Sequence, residues 1–599
     1  MAKDRVRCLC VWCVLLLVVV LVCVFLVVYL RCVCSGGQFT HAAIAADSLR
    51  CSNIGRDVLM EGGSAVDAAI ASLVCTALVN PQSMGLGGGA IFTIMDNKGK
   101  VKVISSRETV PKTSNLDLLK RCPEHFSLMT GPEWIGVPGE LRGYARAHAL
   151  YGKLKWSRLF EPNIKLARDG FPLPPYLANF LKYPEITNLV QNSSLCELFC
   201  DKNKRVLTVN DTLKFPKLAT TLETIGREGA EAFYTGHIAK DLINDVKEAG
   251  GTLSLEDLRS FKVREDDAQS IRVREYDMFL PPLPAGGVLV SLILNIMQGF
   301  GLSPASSQGE NRALTLHRYI EAVKFTNGQK GNIKDPEFHR HNVEFLTKMD
   351  FIDHLRKMIK NDATLPPSSY NITASGDRFG TTHISAIDQY GSAVSVTSTI
   401  NHIFGSAVYS PNTGIILNNE LADFCGRAGS FTAGQELIHQ SLNQFNNIHT
   451  LCLSLSLSLS PSHCLHPGLL CSSVCAGEQP PSSMSPTILR STQGDKLLVI
   501  GGSGGSMITS AMAQSIMNHL FLGKSLKDAI DEKLVFVDSQ NSVKFEKGFD
   551  TDLIEQMKHR GHTVKSWKYF LNVVNAVERE NGCITAVSDA RKMGEAAGY

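Results

Sequence analysis

The arrangement best suited to chemistry in this 599-residue chain is a threonine that directly follows a glycine at the start of an alternating segment. Gly380 precedes Thr381, and the alternation of residue types over 381–387 predicts a half-buried strand. A second hydroxyl-rich strand is predicted over 392–401. If the bond between Gly380 and Thr381 is cut, Thr381 gains a free α-amine that can act as the base for its own hydroxyl. Most Gly-Thr pairs at a strand start are simple turns, so this chemistry needs support from other segments.

The elements around this site predict an α+β body in which helices flank sheets. Ser64 and Asp67 have the spacing of a capping box at the start of one helix. The middle of the chain, to about Tyr234, is mostly helical, and sheets flanked by helices fit a layered arrangement. The clearest predicted elements are a helix over 64–78, strands over 90–95 and 101–104, a helix over 288–298, a strand over 497–500 and a helix over 507–521.

Several short motifs lie in a fixed order along the chain and support the threonine chemistry. They are Asn80–Gly89, Ser106–Thr109, Gly136–Glu140, Gly380–His383, Tyr409–Glu420, Pro481–Thr487, Gly501–Ser506, Ser588–Lys592 and Gly594–Tyr599. Together they resemble the gamma-glutamyltransferase (glutathione hydrolase) family from about residue 42 to residue 599. Details at 80–84, 570–574 and 594–599 are similar to the branch associated with leukotriene C4. The resemblance implies a four-layer αββα N-terminal-nucleophile hydrolase fold without a metal or organic cofactor.

The resemblance also implies roles for the residues that would react. Thr381 would attack the γ-carbonyl and form an acyl-enzyme, and Thr399 would hydrogen-bond to this nucleophile. Gly504 and Gly505 would present backbone N–H groups to the oxyanion. Thr382 could also become a new N-terminus, but the family pattern Gly-Thr-x-His favours cleavage between Gly380 and Thr381. Water would then release glutamate, whereas an amino-acid or dipeptide acceptor would give transpeptidation.

A γ-glutamyl group also carries an α-carboxylate and an α-ammonium, and each needs a complementary partner. A guanidinium matches a carboxylate with two parallel hydrogen bonds, and oxygen atoms suit an ammonium. The resemblance implies glutathione, its S-conjugates and leukotriene C4 as substrates. The residues implied for the carboxylate are Arg107, Ser482 and Ser483, and those for the ammonium are Asn401, Glu420 and Asp423.

The N-terminus predicts a membrane anchor. Residues 8–30 contain no charged residue, and 23 residues are long enough to span a bilayer. Lys3, Arg5 and Arg7 precede the span, so the positive-inside rule places the N-terminus in the cytosol. A cleaved signal peptide is the alternative, but no small-x-small cleavage site follows at once. We therefore expect a single-pass type II plasma-membrane protein with residues 1–7 cytoplasmic, 31–380 as a large-subunit region and 381–599 as a small catalytic-subunit region, both extracellular.

Other features fit an extracellular body. Glycosylation sequons begin at Asn192, Asn210 and Asn371. In an oxidising compartment, Cys51–Cys75 and Cys196–Cys200 are plausible disulfides, and the family resemblance supports both pairs. Six further cysteines in or beside the predicted anchor, Cys34 among them, are given an apolar role. His339 and His341 are read as surface histidines, because no cysteine completes a metal-ligand set.

The segment 426–479 does not match the family pattern. Its strict Leu-Ser alternation over 451–460 mimics a strand, but low complexity and neighbouring prolines argue against a core strand. A compact domain rarely holds so long a loop without structure. We therefore expect a disordered or aberrant insertion over 426–479, ahead of Ser482.

Other function classes fit the chain less well. A net charge of +3 with interspersed acids and bases does not favour a nucleic-acid partner. Gly85–Ala90 satisfies the pattern G-x-G-x-x-A, but a dinucleotide site needs a strand before it and a helix after it. The remaining alternative from another class is an uncleaved, inactive surface module that binds γ-glutamyl peptides, with the insertion blocking maturation.

Overall fold

The computed structural model describes residues 18, 34, 36–113, 118–123, 128–339, 343–372, 380–427, 474–566 and 573–599. The predicted anchor (apart from Val18), residues 428–473 of the predicted insertion, His341 and the segment 570–572 lie outside the described residues. Within the described residues, no helix combines the length and the apolar character that a membrane crossing requires.

Two antiparallel sheets form the centre of the described structure. The first sheet has seven strands in the spatial order β17-β1-β9-β10-β2-β3-β6, and the second has six in the order β16-β15-β12-β11-β8-β7. Strands β4 with β5 and β13 with β14 form two small separate pairs. The strands are β1 Ala43–Ala45, β2 Gly89–Met95, β3 Val101–Ser105, β4 Phe171–Pro172, β5 Thr212–Leu213, β6 Arg264–Asp267, β7 Gln269–Val273, β8 Tyr276–Leu280, β9 Thr382–Ile387, β10 Ala393–Thr399, β11 Thr487–Ser491, β12 Lys496–Ser503, β13 Val535–Val537, β14 Val543–Phe545, β15 Val573–Glu580, β16 Cys583–Val587 and β17 Ala597–Gly598.

Helices cover the outer faces of the two sheets. Leu49–Met60 and Ala65–Val79 pack on the first sheet, and Gly287–Gln298 and Ile508–Ile516 pack on the second. The sheets therefore face each other in a helix–sheet–sheet–helix arrangement. The remaining α-helices are Glu140–Tyr151, Glu161–Asp169, Pro175–Leu181, Pro184–Gln191, Cys196–Phe199, Pro216–Glu228, Glu231–Tyr234, His237–Glu248, Leu255–Ser260, Gly309–Asn327, Met349–Met358, Leu526–Asp531 and Thr551–His559.

The predicted elements near the site are confirmed with small changes at their ends. The predicted helix begins after Ser64, whose side chain accepts from the Asp67 N–H while Asp67 accepts from the Ser64 N–H. The helix that follows the Gly-rich turn is α-helical over Ile508–Ile516 and continues as a π-helix over Met517–Phe521. Local capping and periodicity were sufficient to place these elements.

The expectation that β9 is half-buried is wrong, because every residue of β9 is buried, as is every residue of its neighbour β10. Their second face meets the other sheet, and the hydroxyls on that face hydrogen-bond across the gap. Ser385 donates to the Asn575 carbonyl and Ser395 donates to the Ile500 carbonyl. The polar side chains of the alternating pattern therefore form contacts between the two sheets.

The predicted insertion is too wide at its ends. The Gly477 N–H donates to the Val110 carbonyl, and the Val110 N–H donates to the Glu478 carbonyl. Glu478 and Gln479 are fully buried. Arg427, on the other side of 428–473, donates to the Glu478 carboxylate at 2.5 Å. These contacts place both flanks of 428–473 in the folded body, which sequence complexity alone could not show.

Candidate active site

Thr381 lies at the entrance to β9 with each of its polar atoms held by the protein. Its N–H donates to the Ser83 carbonyl at 3.1 Å. Its Oγ1 lies 3.0 Å from Thr399 Oγ1, and either hydroxyl can donate. Thr399 Oγ1 also accepts from the Asn401 N–H at 2.8 Å. The hydroxyl of Thr399 is thereby fixed beside that of Thr381.

The backbone at the Gly380–Thr381 junction is strained. Thr381 has a φ of 81°, a region that β-branched residues rarely adopt. Gly380 has a φ of 154°, and a Cβ at this position would lie 1.8 Å from the Asn401 carbonyl oxygen, so only glycine fits. The Gly380 carbonyl accepts from the Gly504 N–H at 2.9 Å. A backbone donor is thus already aimed at the carbonyl of the bond predicted to break, as an oxyanion site requires.

Arg107 is buried at the centre of a charge cluster. Its Nη1 lies 2.7 Å from Glu420 Oε1, and its Nη2 donates to Asp423 Oδ2 at 2.8 Å. Its Nε and Nη2 also donate to the carbonyls of Pro480 and Pro481. Burial alone would lower the pKa of Arg107, but the charges of Glu420 and Asp423 raise it above its ordinary value.

The guanidinium of Arg107 is occupied by protein acceptors in this structure. Four N–H groups of Arg107 are already donated to protein acceptors. One of its five N–H groups remains, so a carboxylate that takes two parallel hydrogen bonds has to share or displace one of these partners. Arg107 and the three predicted ammonium residues form one connected cluster, because Asn401 Nδ2 also donates to Asp423 Oδ1 at 2.9 Å.

The predicted catalytic and substrate-binding residues, apart from Gly504, line one small cavity of about 20 Å³. This volume holds about one water molecule, which is much smaller than a γ-glutamyl group. The Ser482 N–H donates to the Pro284 carbonyl, and the Ser482 hydroxyl accepts from the Met484 N–H. The cavity is lined by Arg107, Thr381, Thr399, Asn401, Glu420, Asp423, Ser482, Ser483, Met484, Gly505 and Ile508.

Comparison with known proteins agrees with this geometry. The family model described as gamma-glutamyltranspeptidase matches residues 51–450 and 465–599. The chain belongs to the gamma-glutamyltranspeptidase family. It is 43% identical over 575 residues to the glutathione hydrolase 5 proenzyme of Homo sapiens and 42% identical to that of Rattus norvegicus, with 94% of each chain covered. The family model omits 451–464, which includes the whole Leu-Ser alternation over 451–460.

Solved structures show the same fold. Cephalosporin acylase from Bacillus halodurans superposes with a TM-score of 0.76 at 22% identity, covering 94% of this chain and 96% of that one. The gamma-glutamyltranspeptidase of Helicobacter pylori gives a TM-score of 0.51 at 26% identity, covering 56% of this chain and 95% of that one. As a gamma-glutamyltranspeptidase, the chain is an α+β enzyme of the N-terminal-nucleophile hydrolase type. Its family acts on γ-glutamyl compounds such as glutathione.

The sequence reasoning missed a buried lysine beside the nucleophile. Lys592 Nζ donates to the Thr381 carbonyl at 2.7 Å, to Ser503 Oγ at 2.7 Å and to Asp47 Oδ2 at 2.8 Å. Asp47 in turn accepts from the Thr382 hydroxyl at 2.6 Å. Lys592 therefore ties the start of β9 to the end of β12, next to Gly504. In the sequence, Lys592 stood out only as part of the motif Ser588–Lys592, to which no chemical role was assigned.

His383 does not reach the cavity. It lies between the sheets, where its Nδ1 is 2.9 Å from Thr397 Oγ1 and its Nε2 is 2.9 Å from Ser385 Oγ. Burial, helped by the charge of Lys592, lowers the pKa of His383 to about 3. A Cβ at Gly501 would lie 2.2 Å from the ring, so the histidine depends on glycine in the facing strand. His383 is a neutral sheet-contact residue.

The glycine-rich segment before β2 cannot hold a dinucleotide in the predicted manner. Strand β2 begins at Gly89, directly after Gly85–Gly88, so no helix follows the turn.

The side chains of Glu321, His317 and His562 form a buried cluster whose ligand atoms lie within 4.8 Å of one another, which the sequence reasoning also missed. Lys324 Nζ lies 2.9 Å from His562 Nδ1, and this cation opposes metal binding there.

Four disulfides have both of their cysteines among the described residues. Two of them are Cys51–Cys75 and Cys196–Cys200. The other two, Cys34–Cys583 and Cys122–Cys425, were not predicted, and the apolar role given to Cys34 is wrong. Sequence spacing carries no information about pairs so far apart. The sequon residues Asn192, Asn210 and Asn371 are exposed.

Proposed function

We propose that the chain is a membrane-anchored extracellular γ-glutamyl hydrolase and transpeptidase that cleaves itself between Gly380 and Thr381. The observation that carries the proposal is the junction itself. A buried threonine hydroxyl lies 3.0 Å from Thr399 Oγ1, while the preceding carbonyl accepts from the Gly504 N–H. The nucleophile, its hydroxyl partner and the oxyanion donor are thus assembled before cleavage.

Cleavage begins when Thr381 Oγ1 attacks the Gly380 carbonyl carbon. The negative charge develops on the carbonyl oxygen that Gly504 already contacts, where a preorganised donor contributes on the order of 3 kcal/mol. Collapse of this intermediate breaks the C–N bond and leaves an ester on the Thr381 hydroxyl. Breaking the C–N bond frees the Thr381 α-amine, which takes up the proton of the attacking hydroxyl. Water then hydrolyses the ester, which releases the Gly380 carboxylate and restores the Thr381 hydroxyl. The strain at Thr381 is relieved in this step, which favours the forward reaction.

The freed amine then serves as the base for γ-glutamyl transfer. The nitrogen remains close to the Ser83 carbonyl, which positions it beside its own hydroxyl. Thr381 Oγ1 attacks the γ-carbonyl, the amine takes up the hydroxyl proton, and Gly504 and Gly505 stabilise the oxyanion. The leaving amine departs with that proton and leaves an acyl-enzyme. Water or an amino-acid or dipeptide acceptor then releases the glutamyl group.

The charge cluster holds the two ends of the glutamyl zwitterion. Arg107 with Ser482 and Ser483 binds the α-carboxylate, and Glu420 with Asp423 binds the α-ammonium, aided by Asn401. The α-carboxylate and the α-ammonium add one charge of each sign, so the net charge of the buried cluster is unchanged when the substrate binds. The cavity of about 20 Å³ is smaller than this group, so the site has to widen for the substrate to bind.

The substrates proposed are glutathione, its S-conjugates and leukotriene C4. Support for the last comes from the motifs shared with the leukotriene-associated branch and from 43% identity to a glutathione hydrolase 5 proenzyme. The type II anchor is supported by the uncharged segment 8–30, and the exposed sequons support an extracellular body. No cofactor is proposed.

Purified protein tests the reaction directly. Glutathione, an S-alkyl glutathione and leukotriene C4 are incubated with wild type and with Thr381→Ala, and released glutamate is measured. We expect turnover of all three by wild type and none by the variant. Substantial turnover by Thr381→Ala would remove Thr381 as the nucleophile, and failure on leukotriene C4 alone would remove only that substrate.

A further inference from the structure

Two disulfides connect parts of the chain on opposite sides of the Gly380–Thr381 bond. Cys34–Cys583 spans 549 residues, and Cys122–Cys425 spans 303 residues. In contrast, Cys51–Cys75 and Cys196–Cys200 each lie within the large-subunit region. Cleavage of one peptide bond would therefore leave the two products joined covalently at two places.

The first of these bridges belongs to a folded contact. Phe39 and Ile584 exchange both backbone hydrogen bonds at 2.8 Å. Gln38 Nε2 also donates to Thr585 Oγ1 at 3.0 Å. Cys583 is the first residue of β16, directly before Ile584, and is only 8% exposed. The N-terminal stretch of the large-subunit region is thus paired with a small-region strand beside the bridge.

The second bridge holds the turn that carries two residues of the candidate pocket, Glu420 and Asp423. Cys425 belongs to the 3₁₀ turn Glu420–Arg427, two residues after Asp423, and Cys122 directly follows the turn Leu118–Arg121. Both cysteines pack against an apolar cluster contributed by the two regions. Its buried members are Val110, Leu118, Trp134, Leu421, Ala422 and Phe424. The bridge therefore fastens the turn that carries Glu420 and Asp423 to the large-subunit region.

We propose that the mature protein is a disulfide-linked pair of chains, and that Cys122–Cys425 positions the ammonium-binding residues Glu420 and Asp423. The proposal rests on the cleavage at Gly380 proposed above. An oxidising compartment preserves such bridges. Cys122 and Cys425 are both partly exposed, so a small thiol can reach this bridge. Reduction would then weaken substrate binding without touching the nucleophile.

Electrophoresis with and without reductant separates cleavage from linkage. The full chain is alkylated before denaturation, so that free thiols cannot rearrange, and is then deglycosylated. We expect one band of nearly full mass without reductant and two bands with reductant. Two bands under both conditions would overturn the linkage but keep the cleavage. One band under both conditions would overturn the cleavage, and the linked pair with it.

Serine variants identify the bridges. Cys34→Ser/Cys583→Ser and Cys122→Ser/Cys425→Ser should each remain linked through the other bridge. The variant carrying all four substitutions should separate without reductant, whereas the matched control Cys196→Ser/Cys200→Ser should stay linked. If the four-substitution variant does not fold, mass spectrometry of unreduced wild-type peptides gives the answer. Absence of the Cys34–Cys583 and Cys122–Cys425 peptide pairs would overturn the proposal, as would a four-substitution variant that stays linked.

Kinetics test the positioning role. Cys122→Ser/Cys425→Ser should raise KM for glutathione roughly tenfold, the scale of one hydrogen bond to a charged group, with a smaller change in kcat. Cys34→Ser/Cys583→Ser and the Cys196/Cys200 control should keep the wild-type KM. Equal KM values for all three variants would show that the bridge does not position Glu420 and Asp423.

Discussion

Replacement of Lys592 by methionine should separate the role of this residue at the nucleophile from its role in stability. The side chain is 3% exposed and contacts Asp47, Ser503 and the Thr381 carbonyl within 2.8 Å. Methionine keeps the approximate volume and removes the ammonium. Loss of one partner of a buried ion pair costs about 3–5 kcal/mol, so the free energy of unfolding should fall by that amount.

The effect on catalysis follows from one contact. The hydrogen bond to the Thr381 carbonyl fixes the residue whose hydroxyl and amine react, and a bond to a charged donor is worth about 1.5–3 kcal/mol. If most of it is needed in the transition state, kcat/KM of the cleaved protein falls roughly 10- to 100-fold. Cleavage should slow as well, because it uses the same hydroxyl.

Lys324→Met is the matched control. Lys324 is 2% exposed and lies 3.3 Å from the buried Glu321, but it contacts none of the site residues. It should lose similar stability while the kcat/KM of correctly cleaved protein stays within about threefold of wild type. Thermal unfolding gives the stability, and glutamate release per mole of small chain gives the rate. Equal kcat/KM losses in the two variants would show that Lys592 acts through stability alone.

Three further changes test other contacts of the site. Thr399→Val removes both hydrogen bonds of the hydroxyl and should reduce turnover about tenfold or more, whereas Thr399→Ser should stay close to wild type. Similar rates for the two variants would contradict the role of the hydroxyl. Arg107→Lys keeps the charge but loses the planar donors, so KM for glutathione should rise more than kcat falls; unchanged kinetics would remove Arg107 from the site. Burial raises the pKa of Glu140 to about 8 from its ordinary 4.5, so folding takes up a proton between these values and stability falls as pH rises through this window. Glu140→Gln should flatten that slope in unfolding measured from pH 5 to 9, and an unchanged slope would assign it to other groups.

Local signals in the sequence were sufficient for elements whose pattern and function agree. The capping box of the Ser64 helix and the alternation of β9 predicted both elements within a few residues, because capping and periodicity act over short distances. The same alternation misled about burial. The polar face of β9 contacts a second sheet, and a single strand cannot show what will cover it.

The relations that the sequence did not reveal are long-range ones. Lys592 and Asp47 are 545 residues apart and meet only because β1, β9 and β12 come together. Cys34 and Cys583 are farther apart still. Arg107 forms ion pairs with Glu420 and Asp423 only because two segments far apart in the sequence meet in the folded protein. Residue types indicated which groups could bind the substrate. Only the fold shows that Arg107, Glu420 and Asp423 are already paired with one another before a substrate binds.

N-terminal sequencing of the smaller chain is the most direct test of the central claim, that Thr381 becomes a free N-terminus. The deglycosylated protein is reduced, separated by denaturing electrophoresis, and the smaller band is sequenced. The account predicts a chain that begins Thr-Thr-His-Ile, at Thr381. A start at Thr382 or elsewhere, or an undivided chain in a preparation that hydrolyses glutathione, would contradict it.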